Sequence, residues 1–322
     1  MNPYFESKTG KLYNSDAFHG LNALPDKSVH CCVTSPPYWG LRDYGIDSQI
    51  GLEKTPEKYI SKMVSVFREV RRVLRNDGTL WLNLGDSYVS GKSRYSSKAQ
   101  TIAGKKRNEP INGNRPNLNH HAYLKDKDLS MIPSRVAIAL QSDGWYLRSE
   151  IIWHKPNPMP ESVTDRPTKS HEMIYLFSKS SKYYYDYEAV KEPVANPERI
   201  NFQSGSRSNG INNDRNDNDL WERSKGARYS KRNLRDVWTV ATTPFKGSHF
   251  ATFPKKLIEP CILAGCPENG TVLDPFGGAG TTAVVSESLN RKWILIELNP
   301  DYCELSKNRI QTEQLTLKDL PK

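Results

Sequence analysis

Two short stretches of the chain set reactive side chains on unusual backbone. In the first, Thr34-Ser35-Pro36-Pro37-Tyr38-Trp39, a hydroxyl precedes two prolines and two aromatic rings. Proline has no backbone N–H and keeps the residue before it extended, so the segment ends an apolar strand in a stiff turn with free carbonyl acceptors. Such a turn suits a ligand with hydrogens to give. The second stretch runs through Asp274, Pro275 and Phe276 into Gly277, Gly278, Gly280 and Thr281. Glycines let the main chain turn sharply and approach a ligand that a Cβ would exclude. No Lys-Ser/Thr pair follows them and the spacing is not GxGxxG, which disfavours a phosphate-binding loop and a dinucleotide. Glu297 stands near the end of the next apolar run, KWILIELNP, where a carboxylate can accept hydrogen bonds from ribose hydroxyls. The second stretch therefore reads as a seat for a nucleoside without a polyphosphate.

The elements needed to hold these residues are legible from spacing. Residues 29–34 are predicted to be a buried strand ending at the double proline. Thr55 is placed to cap a helix with Pro56 at its first position, and Ile60, Met63, Phe67, Val70 and Leu74 follow at helical spacing until Asn76-Asp77-Gly78 stops it. TLWLNLGD is the next strand, giving the strand–helix–strand order of a parallel α/β sheet. A helix over about 130–142, a strand YLRSEIIWHK and a hairpin in HEMIYLFSKSSKYYYDY come later, and TVLD opens a last strand–glycine turn–helix–strand unit.

Between these elements lie two irregular basic stretches, about 87–128 and 193–235. The first carries Lys105, Lys106 and Arg107, and the second Arg207, Arg215, Arg228, Lys231 and Arg232, among Asn and Ser. Arginine, asparagine and serine are side chains that contact phosphates and base edges. The formal net charge of +10 points the same way, toward a polyanion, because cations at phosphates release counterions. The five cysteines, Cys31, Cys32, Cys261, Cys266 and Cys303, form no CxxC pair, which argues against a metal cluster or a disulfide framework and fits a reducing compartment. Cys31 and Cys32 sit in an apolar run, where buried thiols are expected rather than nucleophiles. No apolar stretch approaches a membrane span and the N-terminus lacks a secretory apolar region, so a cytoplasmic chain with no membrane partner is expected.

TSPPYW together with DPFGGAGTT resembles the two signature motifs of S-adenosylmethionine-dependent DNA methyltransferases that modify an exocyclic amine. Catalytic motif first and cofactor motif last resembles the permuted beta group of that family. HFATFP, with His249, Phe250, Phe253 and Pro254, is similar to the segment preceding the cofactor loop. YNSD, ending at Asp16, is similar to its acidic motif, and IIWHKPNPMPESVTDRPTKSHE to the segment lining the target pocket. The resemblance implies a circularly permuted, Rossmann-like α/β sheet with irregular target-recognition insertions. Residues 1–86 would form the catalytic half, 87–128 a basic inserted loop, 129–192 the rest of the catalytic half, 193–240 the target-recognition region and 241–322 the cofactor half.

What the resemblance implies for the site is specific. Ser35, Pro36, Pro37 and Tyr38 would be catalytic, with the Ser35 hydroxyl and Pro36 carbonyl accepting the two hydrogens of an amine and Tyr38 stacking on an extruded base. Asp16, His249, Phe250, Phe253, Pro254, Asp274, Pro275, Phe276, Gly277, Gly278, Gly280, Thr281 and Glu297 would bind S-adenosylmethionine. Trp39, Trp153, Lys155 and Asn157 would complete the base pocket. Serine before the prolines accompanies cytosine N4 methylation in the family, with adenine N6 as the alternative. Double-stranded DNA is the implied substrate, in a restriction-modification, phage or solitary setting, with or without a cognate endonuclease, as monomer or homodimer. A catalytically silent DNA-binding module and an RNA or protein methyltransferase are the rival readings.

Overall fold

The computed structural model describes residues 1–41, 45–46, 49–89, 121–194, 230–242 and 253–318. They fall into two compact units, one of residues 1–185 with 236–322 and one of residues 186–235. The larger unit is built on a nine-stranded sheet. Its strands are β1 (Phe5–Glu6), β2 (Gly10–Asn14), β3 (Val29–Thr34), β4 (Leu74–Leu84), β5 (Tyr146–His154) and β6 (His171–Ser178), then β9 (Val237–Thr239), β10 (Thr271–Asp274) and β11 (Lys292–Glu297). In the smaller unit β7 (Glu192–Pro193) and β8 (Lys231–Arg232) pair antiparallel.

The order across the large sheet is β1-β2-β11-β10-β3-β4-β6-β5-β9. Strand β10, from the end of the chain, lies parallel between β11 and β3, with Val272 opposite Cys31 and Leu273 opposite Cys32. This one pairing brings the two sequence motifs to neighbouring strand ends. Parallel strands present their carboxyl ends on one edge, and open α/β sheets bind ligands in the crevice there.

Helices cover both faces, and strand alternation decides which side chain meets which helix. Helix α1 is Ala17–Asn22 and α2 is Pro56–Val73. Thr55 Oγ1 accepts from Lys58 N–H at 3.4 Å and caps α2, as its sequence predicts. Its buried residues Tyr59, Met63, Val66, Phe67 and Val70 recur at three- and four-residue spacing and join Cys32, Leu80 and Leu82 in one core, to which α3 (Ile132–Ser142) adds Val136 and Leu140. The opposite face meets α4 (Lys255–Gly265): a Cβ on Gly265 would lie within 2.8 Å of Cys31 Sγ, Thr79 Oγ1 and Trp81 Nε1. Helices α5 (Thr281–Ser288) and α6 (Pro300–Lys318) follow β10 and β11.

Three elements differ from the sequence expectation. The helix ends at Val73, and Leu74 and Asn76-Asp77-Gly78, expected to close it, lie inside β4. The hairpin is formed by β5 and β6 across the proline-rich link, with Ile151 opposite Ile174, and not within residues 171–187. The tyrosines after β6 are not a strand; Tyr185 instead stacks on Trp81, with ring centroids 6.4 Å apart. Residues 237–239, assigned to the recognition insertion, are the edge strand of the large sheet because Ile152, Trp153 and His154 pair with them. The compact smaller unit accordingly ends at Arg235.

All five cysteines are free and buried. Burial pushes the Cys31 and Cys32 thiols well above their ordinary range, which keeps them protonated and unreactive. Among the described residues no helix is long and apolar enough to cross a membrane, and no group of three or more metal-ligating side chains occurs.

Candidate active site

At the carboxyl ends of β3, β10 and β11 lies a cavity of about 460 Å³. Its wall includes Ser35 and Pro37 from the first motif and Asp274, Pro275, Phe276, Gly277, Gly278 and Thr281 from the second, with Glu297, Asp16 and Phe253. The two sequence motifs, more than two hundred residues apart, therefore share one cavity.

The glycine turn is shaped by its backbone. Gly278 and Gly280 have φ of +51° and +75°, values an L side chain rarely adopts. Glu297 closes the turn from the next strand: its Oε2 accepts from Gly278 N–H at 2.7 Å and its Oε1 from Asn299 N–H at 2.8 Å. Burial raises the Glu297 carboxyl, and the Asn299 and Gly278 N–H groups oppose that rise. Each oxygen keeps a lone pair for a further donor.

Asp274 has a different part from the ligand contact expected of it. Its Oδ1 accepts from Thr34 Oγ1 at 2.7 Å and Phe276 N–H at 3.0 Å, and its Oδ2 from Thr282 Oγ1 at 2.7 Å. The buried carboxylate thus ties the end of β3 to the start of α5, holding both motifs in register. Burial pushes this carboxyl up to about 6.

Behind Ser35 the proline turn is braced from several sides. Tyr59 Oη donates to Pro37 O at 2.9 Å and Gly40 N–H to Gly51 O at 2.7 Å. The Tyr38 ring lies against Gly85, where a Cβ would stand 2.5 Å from its Cε2. Ser35 Oγ donates to Tyr38 Oη at 3.2 Å, and Tyr38 Oη faces Glu172 Oε2 at 2.7 Å and Asn83 Oδ1 at 3.1 Å. Lys155 Nζ is paired with Glu172 Oε1 and lies over the Trp153 ring, 4.3 Å from its centroid. We expect Gly85→Ala to push the Tyr38 ring aside and destabilise the fold by roughly 1–3 kcal/mol, the usual cost of overpacking a tight site. An unchanged denaturation midpoint would show that the ring has room to spare.

Several residues stand elsewhere than the sequence suggested. Trp39 is in the core, its Nε1 donating to Glu53 O at 2.9 Å, and does not line the cavity. Pro36 is buried and likewise absent from the cavity wall. Trp153 is buried with Nε1 on Val240 O, and Asn157 exchanges hydrogen bonds with Thr242. Pro254 is the cap residue of α4. In the smaller unit Arg232 is engaged by Glu192 at 2.7 Å, beside Arg235, and Lys231 lies next to it on β8. His249, Phe250, Lys105, Lys106, Arg107, Arg207, Arg215 and Arg228 lie outside the described residues. Asn83, Glu172, Lys62 and Tyr302 were not singled out from the sequence. The signal for Asn83 was a lone amide inside the apolar strand LWLNL, a position that demands partners.

A nine-stranded, mostly parallel α/β sheet with this cavity at its carboxyl edge is an open α/β fold of the kind that binds ligands there. Comparison with known proteins gives the family. The DNA methylase family matches residues 29–308. The chain is 48% identical over 302 residues to the type II methyltransferase M.Cfr9I of Citrobacter freundii, covering 94% of this chain and 88% of that protein. It is 46% identical over 300 residues to M.SmaI of Serratia marcescens, covering 93% and 90%. Among solved structures, PvuII DNA methyltransferase (cytosine-N4-specific) superposes with a TM-score of 0.64 at 19% identity, covering 97% of this chain and 93% of that one. A putative DNA modification methylase of Thermus thermophilus, complexed with S-adenosyl-L-methionine, gives 0.56 at 23% identity, covering 94% and 95%. The chain belongs to the DNA methylase family and is a type II DNA methyltransferase. The residues present fit S-adenosylmethionine as a methyl donor: a glycine wall without Cβ atoms, the Glu297 and Asp16 carboxylates as acceptors, and the Phe253 and Phe276 rings as apolar surface.

Proposed function

We propose that this chain methylates the N4 amine of cytosine in double-stranded DNA, with the base flipped out of the helix into the space beside Ser35. The observation that carries the reading is the placement of Ser35 and the glycine turn on one cavity wall. Glu297 would accept from the ribose of the donor, Phe253 and Phe276 would flank its adenine, and Asp16 would accept from its cationic end. When bound, S-adenosylmethionine supplies an electrophilic methyl group on a sulfonium.

The exocyclic amine is a poor nucleophile while its lone pair is delocalised into the ring. Ser35 Oγ, on the cavity wall, takes one amine hydrogen and holds the nitrogen so that its lone pair points at the methyl carbon. The N–C bond forms as the C–S bond breaks onto sulfur, with no covalent enzyme intermediate. Extruding the base costs roughly a few kcal/mol, which stacking and phosphate contacts offset. We assign those phosphate contacts to the basic stretches at 87–128 and 193–235.

The serine of the first motif favours cytosine over adenine, and the resemblance to type II methyltransferases favours a cognate endonuclease whose cleavage the methyl group blocks. Digestion of treated DNA to nucleosides, followed by mass identification, is expected to give N4-methylcytosine. Recovery of N6-methyladenine would move the activity to adenine. Duplex binding without methyl transfer, in the presence of bound donor, would leave only a DNA-binding module.

A further inference from the structure

Glu172 is outside the cavity wall, yet it ends a chain of hydrogen bonds that begins at Ser35. The partners around it fix which way the Ser35 bond points. Asn83 Nδ2 donates to Met173 O at 3.1 Å and to Glu172 Oε2 at 3.2 Å, so the Asn83 amide turns its oxygen toward Tyr38. Tyr38 Oη then faces two oxygens that can only accept, Asn83 Oδ1 at 3.1 Å and Glu172 Oε2 at 2.7 Å. Its single proton must go to one of them. The Tyr38 oxygen is left able only to accept, and the neighbour that can donate to it is Ser35, at 3.2 Å. The Ser35 proton is thereby committed inward, and its lone pairs are what face the cavity.

From this we infer that Glu172 is a positioning residue that keeps the Ser35 hydroxyl an acceptor and, through Tyr38, takes up the proton that the amine sheds. The inference rests on the amino-methyltransferase reading of the site. After the N–C bond forms, the nitrogen carries one proton too many. That N–H bond breaks with its electron pair left on nitrogen, and the proton joins Ser35 Oγ. The former Ser35 proton passes to Tyr38 Oη, and the Tyr38 proton to Glu172 Oε2. One proton leaves the amine, one carboxylate is neutralised, and both hydroxyls are restored.

The surroundings of the relay suit it. Burial and the Glu172 charge push the Tyr38 phenol well above its ordinary range, so it acts as a neutral conduit rather than a phenolate. Lys155 is paired with the other Glu172 oxygen, Oε1, and the Lys169 ammonium also acts electrostatically on this carboxylate.

The test uses the full chain with labelled S-adenosylmethionine and its duplex DNA substrate. Glu172→Gln keeps the size of the side chain, and its amide can donate to Tyr38, reversing the chain of bonds. Its single-turnover rate is expected to fall about 10²-fold, within the range of general acid–base contributions, with donor and DNA affinities unchanged. Tyr38→Phe keeps the ring and cuts the relay, so Glu172→Gln added to it should cost nothing more. A Glu172→Gln rate equal to the wild type overturns the proposal. So do losses that multiply in the double variant, or a loss confined to donor affinity. Should Glu172→Gln fail to fold, the relay still stands or falls on Tyr38→Phe, whose wild-type rate would overturn it. A wild-type chain that transfers no methyl to DNA removes the underlying reading, and the relay with it.

Discussion

Replacing Ser35 by alanine is expected to lower the single-turnover rate of methyl transfer by about 10²- to 10³-fold, the loss typical when one preorganised hydrogen-bonding group is taken from a reacting centre. Donor binding should be nearly unchanged, because the glycine turn, Glu297 and Phe253 form that part of the cavity without help from the Ser35 side chain. The fold should hold as well, since the hydroxyl is half-buried and, among the described residues, its one side-chain hydrogen bond is the 3.2 Å contact to Tyr38. Rapid mixing with labelled donor separates chemistry from release. A wild-type rate in Ser35→Ala would take the hydroxyl out of the mechanism.

The second large effect concerns stability. Asp274→Ala leaves the Thr34 and Thr282 hydroxyls and the Phe276 N–H without their acceptor in a buried place. Each orphaned donor costs roughly 1–3 kcal/mol, so a total loss of at least about 3 kcal/mol is expected, with the donor site lost alongside. Asp274→Asn should be far milder. Its carbonyl oxygen can keep Thr34 and Phe276, while its amide donates to the Thr282 oxygen.

The pair also differs in pH response. Burial raises the Asp274 carboxyl in the folded chain to about 6, against about 3.9 when unfolded. Between those values the folded state binds the proton more tightly, so stability falls as pH rises through the window and levels off above it. The shift of roughly two units corresponds to about 3 kcal/mol. Denaturation from pH 4 to pH 7 should therefore show the wild type losing about that much relative to Asp274→Asn. Parallel curves would mean that the three donors fully compensate for burial of the charge.

Much of the site was readable because its decisive features are local. A double proline must stop a strand with its carbonyls free, and a glycine turn must leave main chain exposed to a ligand; both follow from sterics within a few residues. Thr55-Pro56 and the helical spacing of Met63, Phe67 and Val70 placed the helix between the first two central strands for the same reason. Side-chain direction was less legible. Trp39 adjoins the catalytic turn in sequence, but its indole is drawn into the core by Glu53 O. Asp274 lines the cavity as expected of it, but its tie to Thr34 and Thr282 across the two motifs was not legible.

By itself, then, the amino-acid order determined the two motifs, the elements that end in them and the likeness to a permuted methyltransferase. Only the tertiary structure decided that Ser35 and Gly278 share a cavity, because that depends on β10 inserting beside β3. It also decided the inward run from Ser35 to Glu172. The antiparallel register of β4 with β6, which sets Leu84 opposite Met173, carries Asn83 and Glu172 to the same phenol. Pairing register is a long-range choice made by the packing of whole strands, and no window of neighbouring residues contains it.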